Sequence, residues 1–179
     1  MAHFFPVQAV SRRRAAHCPM NTLTYAQYPS PLGTLTGLSQ NGAITALYLP
    51  SQQSFLPSQA VLGNTPALIA LGNWLEGYFR SENPQINFPI EPEGTPFQRR
   101  VWAMLEKIPY GRSITYGQLA RILGPSMSSQ AVGQAVGKNP IPIIIPCHRV
   151  LGSSGSLTGY AGGISAKIQL LELEGIRFK

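Results

Sequence analysis

Residues 143–150, Ile-Ile-Ile-Pro-Cys-His-Arg-Val, constrain the fold of this chain more than any other stretch. An apolar run rich in β-branched residues favours a buried strand, and Pro146 fixes a bend at its end. Cys147, His148 and Arg149 follow the bend side by side. Two interpretations are open: a reactive cysteine whose neighbours supply a base and a positive field, or a small buried cysteine beside a hydrogen-bonded histidine.

The excess positive charge of the chain lies in its second half. Residues 94–179 carry ten Lys and Arg against three Glu, a net charge of +7, whereas residues 1–93 carry four Arg and four Glu. This imbalance favours a polyanionic partner, with nucleic acid first, because neutralising phosphates releases condensed counterions. A basic domain without such a partner would have the same composition. An anionic membrane surface would call for a long basic amphipathic helix, which the sequence lacks.

Cysteine and histidine usage argues against a disulfide framework and against a metal centre. The two cysteines are Cys18 and Cys147, and they form no cluster at zinc-ligand spacing with His3, His17 and His148. Free thiols fit a reducing cytoplasm, and no apolar stretch is long enough to cross a bilayer. We therefore predict a cytoplasmic protein that holds no metal and has no membrane partner.

Residues 1–20 contain Arg12-Arg13-Arg14 and no acidic residue. This composition fits a transit peptide or a basic arm on DNA, but the segment lacks the apolar core of a signal peptide. It also fits a start codon assigned upstream of Met20. We predict a basic tail that is disordered or not native, in preference to a targeting segment.

A first domain is predicted at residues 21–88, with an α/β layer made of a small antiparallel sheet and a helix. Alternation predicts three strands, at residues 22–28, 34–39 and 43–49, and Asn41-Gly42 predicts a hairpin turn between the last two. Thr65-Pro66 predicts the start of a helix that ends near Phe79. Its buried face is expected to hold Leu68, Leu71, Leu75 and Phe79.

A proline-rich linker is predicted at residues 89–94, before a second, mainly α-helical domain at residues 95–179. Thr95-Pro96 predicts a helix that runs to Ile108, and Thr115 with Gln118 has the spacing of a capping box. Two short helices across Gly124-Pro125 then predict a helix-turn-helix. A last helix is predicted from about Ser165 to Glu174, with Gly175 as its stop, and it places a carboxylate at an unfavourable helix end.

The second of the two short helices contains no large residue. Gly133 and Gly137 each weaken a helix by about 1 kcal/mol relative to Ala, so the composition needs a reason. Close approach of the helix to a DNA backbone would supply one, and tight packing inside the protein would supply another. The surrounding positive charge favours the DNA interpretation.

Several short motifs along the second half resemble the O6-alkylguanine-DNA alkyltransferases without a gap from residue 94 to residue 179. They are Gly-Thr-Pro-Phe-Gln from residue 94, Ile-Pro-Tyr-Gly from 108, Gly-Lys-Asn-Pro from 137, Ile-Pro-Cys-His-Arg-Val from 145, Tyr-Ala-Gly-Gly from 160 and Leu-Leu-Glu-Leu-Glu-Gly from 170. The resemblance implies a ribonuclease H-like first domain and a winged helix-turn-helix in the second. It implies a monomer that needs no cofactor and acts on double-stranded DNA carrying O6-alkylguanine.

The resemblance also implies roles for individual residues in a single-turnover transfer of an alkyl group to cysteine. Cys147 would be the nucleophile, His148 its base and Glu174 the residue that orients His148, the arrangement of a triad. Asn139 would tie the recognition helix to the active-site strand. Residues expected to contact DNA or the flipped base are Tyr116, Gln130, Gly133, Val150, Ser153, Tyr160, Ala161 and Phe97.

One position departs from the family pattern, and it keeps other hypotheses open. Where the family usually has an arginine that fills the gap left by the flipped base, this sequence has Gln130, which lacks the charge and the planar fork. O4-alkylthymine is a possible further substrate. Alternatives are a non-catalytic protein that binds alkylated bases, although the cysteine is intact here, and a helix-turn-helix regulator.

Overall fold

The computed structural model describes residues 21–179, and this part of the chain forms a four-stranded sheet, a short two-stranded pair and five α-helices. The predicted basic tail, with Cys18 and Met20, lies outside the described residues. Among residues 21–179, no helix is both long and apolar enough to cross a membrane.

The sheet at the N-terminal end is mixed, which corrects the prediction of an antiparallel sheet. Its strands are β1 (Thr24–Tyr28), β2 (Leu35–Gln40), β3 (Ala43–Tyr48) and β4 (Val61–Leu62), in the order β3-β2-β1-β4. The predicted hairpin is confirmed, since Asn41 and Gly42 both have positive φ, 51° and 83°, as a type I′ turn requires. The prediction missed β4, because two exposed residues show no alternation. This strand pairs with β1 in parallel.

Helix α1 (Pro66–Phe79) covers one face of the sheet, as predicted. The Thr65 side chain accepts a hydrogen bond from the Leu68 amide at 3.2 Å, and Pro66 occupies the first turn, where no amide is needed. Phe79 is only partly buried, whereas the preceding residue, Tyr78, is 1% exposed. The end of α1 therefore directs a tyrosine, and not the predicted phenylalanine, into the protein interior.

The predicted linker begins as part of the sheet. Ile90 pairs with Ile44 in parallel, and the Ile44 amide donates to the Pro89 carbonyl at 2.9 Å while the Glu91 amide donates to the Ile44 carbonyl at 2.8 Å. The buried apolar residues on both sides of this segment form one contiguous cluster, from Ala26 to Leu170. The two halves of the described chain therefore share a core.

The C-terminal half contains four α-helices: α2 (Pro96–Leu105), α3 (Tyr116–Leu123), α4 (Ser129–Gly137) and α5 (Ile164–Leu173). Helix α2 was predicted to run to Ile108, but it ends about one turn earlier, at Leu105. The predicted capping box at Thr115 is confirmed, with the Gln118 amide 3.2 Å from its hydroxyl and the Gln118 side chain 2.8 Å from its amide. The strands β5 (Ile114–Thr115) and β6 (Val150–Leu151) pair in parallel and hold the start of α3 next to the segment that follows Cys147.

A turn at residues 124–128 joins helices α3 and α4, as the sequence predicted. The hydroxyl of Ser128 caps α4 by accepting from the Ala131 amide at 3.1 Å. Trp102 of α2 is buried, and its indole N–H donates to the Ala135 carbonyl of α4 at 2.9 Å. This bond and the surrounding apolar contacts fix α4 on the body of the protein.

The prediction of a strand over residues 143–145 was wrong. Residues 143 and 144 form a turn between Pro142 and Ile145, and Cys147–Arg149 form one turn of 3-10 helix. Ile143 has a φ of 74°, an uncommon backbone conformation for a β-branched residue. The run is buried as expected, but its β propensity is overruled by the turn that carries Cys147 into the core.

Packing around Trp102 gives a test of how α2 is held. A Cβ at Gly94 would lie 2.6 Å from Cζ3 of the Trp102 ring, so Gly94→Ala must displace a rigid side chain. We expect it to lower the free energy of unfolding by about 1–3 kcal/mol, measured by urea denaturation. Gly159→Ala, where a Cβ meets nothing within 4 Å, serves as the control and should change stability by less than about 0.5 kcal/mol. Equal effects of the two substitutions would contradict the packing assigned to Trp102.

Candidate active site

Cys147 begins a single 3-10 turn at the floor of a small cavity. Its amide donates to the Ile145 carbonyl at 2.8 Å, and the Arg149 amide donates to the Pro146 carbonyl at 3.1 Å. Only 5% of Cys147 is exposed. The turn therefore presents the thiol from inside the protein and not from a surface loop.

The cavity above the thiol brings together six of the residues that the sequence nominated. It holds about 40 Å³ of free volume. Its walls are Tyr116, Gly133, Val136, Gly137, Asn139, Pro142, Gly159, Tyr160 and Ala161, with Cys147 at the floor. Helices α3 and α4 thus supply one side, and the loop before α5 supplies the other.

Asn139 connects the end of α4 to the segment that precedes the cysteine. Its side-chain amide donates to the Ile145 carbonyl at 2.7 Å, and its side-chain oxygen accepts from the Ile141 amide at 3.0 Å. Both bonds are buried. Asn139 therefore fixes the turn at residues 141–145, where the sequence had placed a strand.

His148 is not part of the cavity lining, and its orientation is set by Glu174. Nε2 of the ring lies 2.7 Å from Oε1 of the carboxylate, and both side chains are fully buried. Because an ionised carboxylate can only accept, Nε2 carries the hydrogen and Nδ1 keeps its lone pair. Nδ1 is buried and has no hydrogen-bond partner among the described residues. It is the atom of this ring that is able to take a proton.

Glu174 also binds Arg149 and the backbone of the turn after α2. Arg149 donates from Nε to Oε2 at 2.8 Å and from Nη2 to Oε1 at 3.0 Å, and the Gly111 amide donates to Oε2 at 3.1 Å. The remaining guanidinium nitrogen, Nη1, donates to the Ile108 carbonyl at 2.6 Å. These donors compensate for the carboxylate at the end of α5. They also show that Arg149 is not the positive field beside the thiol that the sequence suggested.

Tyr78 of α1 is a member of this network that the sequence did not reveal. Its hydroxyl donates to Oε1 of Glu174 at 2.7 Å and lies 3.4 Å from Nε2 of His148. The ring stacks on Trp74 at 5.2 Å between centroids and meets Tyr110 edge-on at 6.1 Å. The N-terminal half of the chain therefore contributes a polar group to the buried network behind Cys147.

Lys167 is the second residue that the sequence did not nominate. It is fully buried on α5, and its ammonium group donates to the Val150 carbonyl at 2.7 Å. A helical signal did exist, because Lys167 lies three and four positions before the buried pair Leu170 and Leu171 and so shares their face. Tyr78 likewise shares a helix face with Leu71 and Leu75, but nothing in the sequence marks its contact with Glu174, which is 96 residues away in the chain.

The surroundings set the protonation states of the network. Burial alone would raise the pKa of Glu174, but hydrogen bonds from His148, Arg149 and Tyr78 hold it down at about 2. Burial lowers the pKa of His148, although Glu174 opposes that effect. Glu174 is therefore ionised at neutral pH, and His148 is biased towards the neutral form.

The thiol is protonated at rest. Burial raises the pKa of Cys147, and this is only partly offset by the side chains of Asn139 and Tyr160 and by the positive charge of Lys167. Burial in turn lowers the pKa of Lys167. A thiol in this environment needs a base to become a nucleophile.

Besides His148 and Glu174, four nominated residues lie outside the cavity lining. Val150 is buried and its carbonyl accepts from Lys167, while the Cys147 carbonyl accepts from the Val150 amide. Phe97 is half-buried in the first turn of α2. Gln130 and Ser153 are exposed, on α4 and on a 3-10 turn respectively. Within residues 21–179, no group of three or more His, Cys, Asp or Glu side chains could hold a metal ion.

Comparison with protein families places this site in a known context. Residues 96–176 match the family model described as 6-O-methylguanine DNA methyltransferase, DNA binding domain. This match spans α2 to α5 and includes Cys147, His148 and Glu174.

Relatives match over most of the chain. A Haemophilus influenzae protein named methylated-DNA--protein-cysteine methyltransferase is 42% identical, over 89% of this chain and 90% of its own length. The constitutive Bacillus subtilis protein of the same name is 40% identical, over 89% and 99%. The crystal structure of Mycobacterium tuberculosis OGT in complex with DNA aligns with a TM-score of 0.77 at 41% identity, over 84% of this chain and 92% of that one. This chain therefore belongs to the methylated-DNA--protein-cysteine methyltransferase family.

Proposed function

We propose that this protein repairs double-stranded DNA by transferring an alkyl group from O6 of guanine directly to Sγ of Cys147, once per molecule. The observation that carries the proposal is a buried thiol at the floor of a cavity, with a His148–Glu174 pair behind it, in a chain whose relatives are named for this reaction. In the transfer, the S–C bond forms as the C–O6 bond breaks. The thiol proton leaves first, and the guanine is reprotonated as it departs.

His148 acts as the base that removes the thiol proton, through Nδ1. The bond from Nε2 to Glu174 leaves Nδ1 as the acceptor, and the buried carboxylate stabilises the imidazolium that forms. A water bridging Nδ1 and the thiol would complete the path. The raised pKa of the thiol supports the need for this base, because a protonated thiol is a poor nucleophile.

Tyr116 is placed to protonate the leaving base. It lies in the cavity wall at the start of α3, and its hydroxyl accepts from Thr158 at 3.2 Å. Burial raises its pKa, so the phenol keeps a proton to donate. Donation neutralises the guanine anion, which is otherwise a poor leaving group.

Entry of the target base requires both flipping and opening of the cavity. A base inside a stacked duplex is out of reach, and extruding it costs a few kcal/mol. The cavity is narrow, with about 40 Å³ of free volume, and we expect the loop at residues 157–161 to move away from Tyr116 when the base enters. The Thr158–Tyr116 hydrogen bond is the contact that such a movement breaks.

The outer face of α4 supports close approach to DNA. Val132, Ala135 and Val136 pack inward, and Gln130 and Gln134 are exposed on the opposite side. Internal packing does not require the glycines, because a Cβ at Gly137 would meet nothing within 4 Å and one at Gly133 would make ordinary contact with Tyr116 at 3.6 Å. Internal packing therefore does not explain the small residues, whereas close approach of DNA and room for a base in the cavity wall do.

The remaining DNA contacts are assigned by the resemblance and by position. The backbone amide of Phe97 lies in the first turn of α2, where a helix favours a phosphate, and Ser153 is exposed for the same role. The carbonyls of Cys147 and Val150 and the amide of Ala161 read the guanine edge, although both carbonyls already accept one bond. Gln130 takes the place of the extruded base, and Tyr160 closes the far wall.

The finer description of the fold belongs to the same proposal. We assign a ribonuclease H-like domain to residues 21–88 and a winged helix-turn-helix domain to residues 95–179, joined at residues 89–94. The sheet order β3-β2-β1-β4 and the α3–α4 pair support these assignments. A cytoplasmic monomer fits a reaction that needs one thiol and no cofactor.

The methyl transfer itself is tested by mass spectrometry. After incubation with a duplex oligonucleotide containing one O6-methylguanine, the peptide that carries Cys147 should gain one CH2 unit in stoichiometric amount. Cys147→Ala should bind the same duplex without any gain. If the wild-type protein binds the duplex but its Cys147 peptide stays unmodified, the transferase is rejected and a non-catalytic binder is favoured. Higher affinity for one undamaged sequence than for other undamaged sequences would favour a regulator.

Because a Cβ at Gly137 would meet no neighbour, Gly137→Ala distinguishes a role of this residue in DNA approach from a role in internal packing. Gly137→Ala should raise the free energy of unfolding by about 0.5–1 kcal/mol, because Ala is the better helix former and meets no neighbour. It should weaken binding to duplex DNA by about tenfold, or ~1.4 kcal/mol. Because Gly137 also lines the cavity, the rate of methyl transfer from free O6-methylguanine shows separately whether the added methyl group obstructs the base. Unchanged duplex affinity, measured by fluorescence anisotropy, would contradict the placement of this face against DNA.

Gln130 is tested by restoring the residue that the family usually has. Gln130→Arg should speed repair of duplex substrate by several-fold, because a planar charged side chain fills the gap and pairs with phosphates as well as bases. Free base needs no extrusion, so its rate should not change. Identical single-turnover rates for both proteins on duplex DNA would show that this position does not limit base flipping.

A further inference from the structure

We infer that Tyr78 is a positioning residue for the alkyl transfer, because α1 brings its hydroxyl from the N-terminal half onto the carboxylate that holds His148. The inference rests on the proposed function for its role in transfer. The contacts themselves belong to the fold: 2.7 Å from the Tyr78 hydroxyl to Oε1 of Glu174, and 3.4 Å from the same hydroxyl to Nε2 of His148.

The position of the Tyr78 hydroxyl is fixed independently of the active site. The ring is 1% exposed and is held by stacking on Trp74, whose indole N–H donates to the Pro84 carbonyl at 3.0 Å, and by an edge contact with Phe79 at 5.3 Å. These contacts lie within the N-terminal half. The hydroxyl therefore reaches Glu174 as a rigid donor whose place is set by α1.

Oε1 of Glu174 is shared by three donors, and this sharing is what gives Tyr78 its effect. His148, Arg149 and Tyr78 all donate to the same oxygen, at 2.7, 3.0 and 2.7 Å. A carboxylate oxygen that accepts several bonds offers less negative potential to each donor. Tyr78 thereby limits how tightly Glu174 binds an imidazolium, and it keeps His148 a base that can still accept the thiol proton.

Tyr78 remains a donor over the working pH range. Burial and the adjacent carboxylate raise its pKa, so the phenol does not ionise. The hydroxyl hydrogen is committed to Glu174, the acceptor at the shorter distance. His148 is surrounded by titratable or charged groups from several elements, namely Glu174 and Lys167 of α5 and its C-terminus, Cys147 and Arg149 of its own turn, and Tyr78 of α1.

The number of hydrogen-bond donors on Oε1 of Glu174 determines the direction in which the pKa of His148 changes. Removing the Tyr78 hydroxyl leaves two donors on Oε1, so the carboxylate attracts the protonated His148 more strongly and the pKa of His148 rises. Below its pKa, His148 already carries a proton and cannot take one from Cys147. The acid side of the pH profile for reaction at Cys147 therefore moves to higher pH.

The test compares two Tyr→Phe substitutions that delete the same group. Tyr78→Phe removes the donor to Glu174. Tyr28→Phe removes a hydroxyl that donates to the Leu68 carbonyl at 2.7 Å in the same N-terminal half, with no contact to the network. Carbamidomethylation of Cys147 by iodoacetamide, followed on its peptide by mass spectrometry across pH, reports the thiol without depending on methyl transfer.

For Tyr78→Phe we expect the acid midpoint to rise by about 0.5 pH unit or more, with the midpoint of Tyr28→Phe at the wild-type value. The His148 pKa, followed by imidazole nitrogen NMR, should rise in the same direction. At a pH just below the wild-type midpoint, the single-turnover rate of methyl transfer by Tyr78→Phe should fall, and by the same factor for duplex and for free base. Duplex affinity should not change.

Two outcomes would overturn the role of Tyr78. One is a pH profile and a His148 titration that superimpose on those of the wild type, even with a lowered melting temperature, since this marks a packing residue. The other is an equal shift caused by Tyr28→Phe. If the wild-type protein transfers no methyl group but the carbamidomethylation profile of Tyr78→Phe still shifts, the proposed function fails while the control of Tyr78 over the His148–Cys147 pair stands.

Discussion

The rest of the structure depends on the hydrogen bonds that the ionised side chain of Glu174 accepts. It accepts five hydrogen bonds from four residues, Tyr78, Gly111, His148 and Arg149. These donors come from α1, from the turn after α2, and from the turn that carries Cys147. A buried charge is costly unless it is paired and fully bonded, and removing one partner of such a pair typically costs about 3–5 kcal/mol. The packing of both halves of the chain is thus tied to the group that orients the proposed base.

The network divides the site into a dry interior and a cavity that must open. His148, Glu174 and Lys167 are fully or nearly fully buried, whereas the walls around the thiol include the glycine-rich end of α4 and the loop before α5. In the proposed mechanism, the buried groups prepare the thiol and the cavity walls admit the base. This division suits a reaction in which a fixed nucleophile waits for a substrate that the protein has to extract from a duplex.

The sequence predicted most of the local structure because the relevant signals are local. Thr65 and Thr115 cap helices through bonds to residues three positions away, and Asn41-Gly42 sets a hairpin by its own backbone preference. The isoleucines before Cys147 were misassigned for the opposite reason. Burial of that run is visible in the sequence, but the turn is imposed by Asn139 bonding to the Ile145 carbonyl.

The proposed catalytic residues could be nominated from a resemblance, whereas their partners could not. Cys147, His148 and Glu174 stand in specific motifs, but Tyr78 and Lys167 look like ordinary residues of amphipathic helices until the chain is folded. The prediction for Arg149 was also wrong. Adjacency in the chain suggested that its guanidinium lies beside the thiol, but in the fold it donates to Glu174 and to the Ile108 carbonyl. Long-range polar contacts lack the periodicity on which sequence patterns depend.

A thiol with a raised pKa is an unusual resting state for a nucleophile, and the network explains why it can serve here. Thiolate formed in advance would be exposed to oxidation, and a protein used once gains nothing from being reactive before its substrate arrives. Burial keeps Cys147 protonated, and Glu174 holds His148 in the tautomer that can take the proton. Because its hydrogen bonds hold the pKa of Glu174 at about 2, the carboxylate is charged at neutral pH, and in the proposed transfer the imidazolium of His148 would meet a counter-ion. In the proposed mechanism, the groups that activate the thiol are therefore already in place in the folded core before the substrate arrives.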